Sequence, residues 1–132
     1  MIQSVVSTGL ILLFVILSHG QVRDETRKPA SCESAAAVMD FAVIDTRKLP
    51  DTYLIIVARL GKRERSNLNQ IRLANAEEYV LRRGSDLKYV LAVGQRTSGL
   101  GRLELYVGGR LYQIMPYEKN AKGYCIPGRE GW

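Results

Sequence analysis

The feature that most constrains this chain is Tyr53-Leu-Ile-Ile-Val-Ala58, six consecutive residues without a charge. A short β-branched and apolar run of this kind reads as a strand in the middle of a sheet, buried on both faces. The segments around it therefore have to supply the cover. Ser34 to Lys48 is rich in helix formers, with Val38, Phe41, Ala42 and Ile44 as its apolar side, and Pro50 stops it. After the charged loop Arg59–Arg65, a second helix runs from a Ser66 or Asn67 cap to Arg83, with Gly84 as a left-handed stop. Leu68, Ile71, Ala76, Tyr79 and Val80 lie on one arc of it, and Arg72 falls inside that arc.

Leu87–Val93 reads as the next strand, followed by a Gly-rich connection, Gly94–Gly101. Leu103, Leu105 and Val107 then alternate with Arg102, Glu104 and Tyr106, the pattern of a strand with one wet face. Gly108-Gly109 is a two-residue hairpin turn into Leu111–Met115. The order αβαβββ predicts an α+β two-layer sandwich, a mixed sheet of about four strands with both helices on one face.

The ends of the chain read differently. Met1 to Gly20 holds no Lys, Arg, Asp or Glu, and Leu10–Leu17 is an unbroken apolar run too short to span a bilayer. Ser18 and Gly20 give the small-x-small form of a cleavage site, so residues 1–20 read as a signal peptide and the protein as periplasmic or secreted. Membrane contact is then confined to that segment, should it remain attached. Residues 21–33 form a charged leader, 34–126 the domain and 127–132 a C-terminal tail. Acylation of Cys32 is set aside, because five charged residues separate it from the apolar run.

All 19 basic and 13 acidic residues lie beyond residue 20, so the whole +6 charge belongs to residues 21–132. The cations are scattered, which fits a polyanionic envelope better than nucleic acid. Cys32 and Cys125 sit near the two ends of that stretch. Pairing is the expectation in an oxidising compartment, with two unconnected thiols as the alternative. A bridge closing so long a loop would stabilise the fold by ~4–5 kcal/mol through chain entropy.

Catalytic chemistry finds little support. The one histidine, His19, lies in the expected signal peptide, which removes Ser-His and Cys-His routes and the usual zinc ligand. Glu77-Glu78 occupies adjacent helix positions that diverge. The chain reads as a non-enzyme with no metal or cofactor. Arg72 is what bland packing explains least. A guanidinium among apolar neighbours must reach water, pair with a carboxylate, for which Glu104 is the first choice, or bind an external anion.

At this helix the chain resembles the OmpA-like peptidoglycan-binding domain. Asn67-Leu68-Asn69-Gln70-Ile71-Arg72, then Ala76, Tyr79, Val80 and Gly84, keep the family's spacing of Leu, Arg, Tyr and Gly. Val90-Leu-Ala-Val-Gly94 and Gly101-Arg-Leu-Glu-Leu105 follow in the family's order, and the likeness covers about residues 35–107. It implies a non-catalytic domain that grips the diaminopimelate of peptidoglycan stems, with Arg72 and, one turn earlier, Asn69 as ligand residues. The family's pocket Asp is absent: Ala58-Arg59-Leu60-Gly61 stands in its place. Cell-wall affinity is therefore expected to be weakened or lost. The family's first strand is also missing, and Leu111–Met115 is expected to fill that edge, with Cys32–Cys125 pinning the tail beside the first helix. The alternative is an exported protein-interaction module on the same scaffold, using an exposed patch around Tyr106, Tyr112 and Tyr117.

Overall fold

The computed structural model describes residues 28–84 and 86–125. The expected signal peptide, residues 1–20, and the expected tail, residues 127–132, lie outside the described residues. Six elements follow in the expected order: α1 (Cys32–Lys48), β1 (Leu54–Arg59), α2 (Leu68–Arg83), β2 (Tyr89–Val93), β3 (Arg102–Val107) and β4 (Arg110–Pro116). The strands make one mixed sheet in the order β2-β1-β3-β4, with β1 parallel to β2 and antiparallel to β3. The fold is α+β, two helices against four strands, as the alternation of patterns requires.

Helix α1 begins two residues before Ser34, because Ser31 can cap it: its Oγ accepts the Ser34 N–H at 3.1 Å. Its buried face is also rotated from the one expected. Ala35, Met39, Ala42, Val43 and Thr46 pack inward, whereas Phe41 is 60% exposed and Ile44 is exposed as well. The two sides share Ala42, and the buried positions gather on the narrower arc of the helix. The polar Thr46 is accommodated there by donating its hydroxyl to Ala42 O at 2.7 Å.

Strand β1 alternates rather than being sealed on both sides. Leu54, Ile56 and Ala58 are fully buried beneath the helices, while Ile55, Val57 and Arg59 are half-buried on the opposite face. Leu103 and Leu105 extend the same buried row on β3. The hairpin turn is as read: Gly108 and Gly109 have φ of 60° and 75°, the left-handed pair a two-residue turn demands. Gly84 ends α2 at φ 159°, ψ 125°, outside the left-handed well. Asn67 is the N-cap of α2, without a side-chain capping bond.

Strand β4 fills the edge beside β3, with one register shift at Leu105/Tyr106. Cys32 and Cys125 are joined, their Cα atoms 4.8 Å apart. The bridge ties the segment after β4 to the first turn of α1. Among the described residues no helix is long and apolar enough to cross a membrane.

Candidate functional site

Arg72 is the largest fully buried side chain of the described fold. Its partner is Glu64, not Glu104: Nη1 reaches Oε2 at 2.7 Å and Nη2 reaches Oε1 at 2.8 Å. The reason lies in strand alternation. Leu103 and Leu105 face the helices, so Glu104 projects from the other side of the sheet. There it collects Arg59 Nε, Arg102 Nε and the Tyr106 hydroxyl, each at 2.9 Å. Burial alone would raise the Glu104 carboxyl, but those hydrogen bonds outweigh it and hold the group below its ordinary range.

Glu64 is saturated. Besides the guanidinium it accepts the N–H of Gly61 at 2.7 Å and of Asn120 at 2.9 Å. Burial opposes ionisation, yet the Arg72 hydrogen bonds and these two backbone donors win and hold the carboxyl down at about 2. The third nitrogen of Arg72, Nε, donates to Ala121 O at 2.9 Å, and its Cζ lies 4.1 Å from the centroid of the Tyr117 ring. Tyr117 in turn stacks on Tyr124 at 4.1 Å. Arg72 thus satisfies its charge internally, the second of the three fates open to it.

Segment 117–125 forms a strap over this pair. Asn75 Nδ2 donates to Lys122 O at 3.0 Å, the Tyr124 hydroxyl donates to Met115 O, and Cys125 anchors the end to α1. Asn69, the other expected ligand residue, is buried on α2, its Oδ1 without a hydrogen-bond partner among the described residues. The tyrosines expected to share a patch are dispersed. Tyr117 is core, Tyr106 is tied to Glu104 on the open sheet face, and Tyr112 donates to Asp45 of α1 at 2.8 Å.

Beside the strap, and past the C-terminal ends of β1 and β2, two loops are zipped together. Thr97 N–H donates to Leu60 O at 2.8 Å and Lys62 N–H to Gly99 O at 3.0 Å. Arg96 Nη1 clamps the Gly61 and Glu64 carbonyls at 2.6 and 2.8 Å. Two glycines let the loops touch: a Cβ at Gly61 would stand 2.4 Å from Gly101 N. Between the loops opens a cleft of 620 Å³, whose lining includes Lys62, Arg63, Thr97, Ser98, Arg102 and Lys119. Lys62, Arg63 and Lys119 are exposed, and no ion pair among the described residues neutralises them. Glu64 lies against the same cleft but its charge is already cancelled by Arg72. The field in the cleft is therefore cationic.

No known protein family, curated protein or solved structure matches this chain. Sequence reasoning missed Glu64 and the cleft, although one signal was present. Glu64 is the only acid among the four cations of Arg59–Arg65, immediately before the helix that carries the buried arginine.

Proposed function

We propose that this protein is an exported, non-catalytic module of the cell envelope that holds the acidic peptide stems of peptidoglycan in the cleft formed by loops 61–64 and 97–102. The observation that carries the reading is the trio Lys62, Arg63 and Lys119 around a cavity of 620 Å³ whose one carboxylate is neutralised. Carboxylate groups entering such a cleft meet cations together with the hydroxyls of Thr97 and Ser98. The spacing of Leu68, Arg72, Tyr79 and Gly84 supports a relationship to OmpA-like domains. In this chain the arginine supports the wall of the cleft from behind, and exposed cations take over the ligand. The Cys32–Cys125 bridge and the apolar, uncharged N-terminal segment support export.

Sedimentation of the full chain with purified peptidoglycan tests this. Wild type should be retained at low salt and released as salt rises, because the contacts are exposed and screened. The triple variant Lys62→Glu, Arg63→Glu, Lys119→Glu should stay in the supernatant while keeping its fold. Equal retention of both proteins, or of neither, removes the proposal.

A further inference from the structure

The strap carries part of the cleft. Pro116 ends β4, and residues 117–125 then cross the domain without helix or strand until Cys125 meets Cys32. Within it Glu118–Ala121 is a tight turn, closed by Ala121 N–H donating to Glu118 O at 2.9 Å. Asn120 takes the left-handed conformation there, with φ 61°, which asparagine tolerates better than most residues. The turn sets two neighbours to different tasks. Asn120 N–H donates to Glu64 Oε1 at 2.9 Å behind the cleft wall, while Lys119 lines the cleft itself. One of the three exposed cations of the cleft is therefore borne by the strap, whereas Lys62 and Arg63 belong to the loop after β1.

The two ends of the strap are held differently. At the β4 end Met115 pairs with Leu103, and Tyr117 N–H donates to Gly101 O at 2.8 Å, so this end is part of the sheet. The far end is fixed covalently by the bridge, and between the ends Arg72 Nε and Asn75 Nδ2 donate to the carbonyls of Ala121 and Lys122. A segment tied at both ends has little freedom left to lose on docking. Tied at one end it has far more, and single hydrogen bonds of ordinary net strength do not offset the ordering of every residue. Opening the bridge therefore loosens the strap where Lys119 stands.

The bridge is open to exchange chemistry. Cys32 and Cys125 are half-buried, within reach of an attacking thiolate. Cys32 is the first residue of α1, whose positive end favours a thiolate there, and the neighbouring Glu33 is exposed and screened. A thiolate of a protein dithiol attacks Cys125 Sγ and expels Cys32 as thiolate; the second thiol of the reductant then resolves the mixed disulfide. Two electrons and two protons end on the cysteines, and the reductant becomes a disulfide. We propose that Cys32–Cys125 is a redox latch on the cleft: closed, it holds Lys119 in place, and opened by a dithiol it lets the 118–124 segment leave, so that affinity for anionic ligands falls. The fall in affinity rests on the wall-binding reading of the cleft; the movement of the strap does not.

The test compares oxidised and dithiothreitol-reduced full-length protein, ¹⁵N-labelled, by amide spectra and by sedimentation with purified peptidoglycan. On reduction the Asn120 and Ala121 amide resonances should move to unstructured positions while those of β1 and α2 stay. Affinity should fall roughly twofold to fivefold, as loss of one exposed charge contact does. Lys119→Ala should bind as weakly when oxidised and lose little more on reduction, and the Cys32→Ser, Cys125→Ser protein should match reduced wild type with or without reductant. An Asn120 resonance that does not move on reduction overturns the latch. So does simultaneous loss of the β1 pattern, which would make the bridge a support of the whole fold. A released strap with unchanged affinity, or a Lys119→Ala protein that still loses the full factor on reduction, overturns the gating of the cleft. Failure of the oxidised protein to sediment, with Asn120 still released by reduction, would remove the wall-binding reading and leave the strap movement standing.

Discussion

Gly101 lies so close over the Glu64 carboxylate that a methyl group on its Cα would stand 2.2 Å from Oε2, and 2.4 Å from Arg72 Nη1. The buried ion pair exists because one residue opposite it has no side chain. Gly101→Ala should push the carboxylate off the guanidinium, with an overpacking cost of roughly 1–3 kcal/mol. A fall in the urea midpoint at unchanged slope would confirm it; an unchanged midpoint would mean that the pair can shift without penalty.

The pair itself is a poor candidate for silent substitution. Removing one partner leaves the other charged and buried, at a cost of about 3–5 kcal/mol. Glu64→Leu and Arg72→Met should each destabilise by that order in chemical denaturation. Combining Glu64→Leu with Arg72→Met should recover much of the loss, since no lone charge then remains. A double variant as unstable as the sum of its parts would show that the strap contacts, rather than the ion pair, hold the site together.

Acid should unfold the protein through Glu64. Its carboxyl is held at about 2 in the folded state against an ordinary value of 4.5. A depressed folded-state pKa contributes stability that is fully present above the unfolded value and drains as pH falls between the two. Stability should therefore decline from about pH 5 toward pH 2, and Glu64→Gln should flatten that decline. A wild-type profile parallel to that of the Gln variant across the window would assign the acid sensitivity elsewhere.

Reduction should act on the strap before the sheet. Opening the Cys32–Cys125 bridge frees a loop spanning 93 positions, and the entropic loss is ~4–5 kcal/mol. The Cys32→Ser, Cys125→Ser protein should melt earlier. Its amides at Asn120 and Ala121, bonded to Glu64 Oε1 and Glu118 O, should lose exchange protection ahead of those in β1. Simultaneous loss in both regions would instead make strap and sheet one cooperative unit.

The order of elements, the hairpin at Gly108-Gly109 and the pairing of the two cysteines were legible in the sequence, because each is encoded in neighbouring residues or in a count. Periodicity places alternate residues of β3 on opposite faces, and that rule alone separates Glu104 from Arg72. Applied strictly, it would have excluded the pairing first expected. Helix α1 is harder. Its expected side and its buried side share Ala42, and packing in the whole domain selects the side of Ala35, Met39, Val43 and Thr46, leaving Phe41 outside.

What the sequence by itself determined is the alternation of helix and strand and the presence of one arginine that needed a partner. What only the tertiary structure decided is the partner. Glu64 reaches Arg72 because Gly61 and Gly101 let two loops meet and because a disulfide-held strap closes over them. Periodicity reports which way a side chain points along its own element. Which charges meet depends on how separate segments approach, and that is set by packing the whole domain at once.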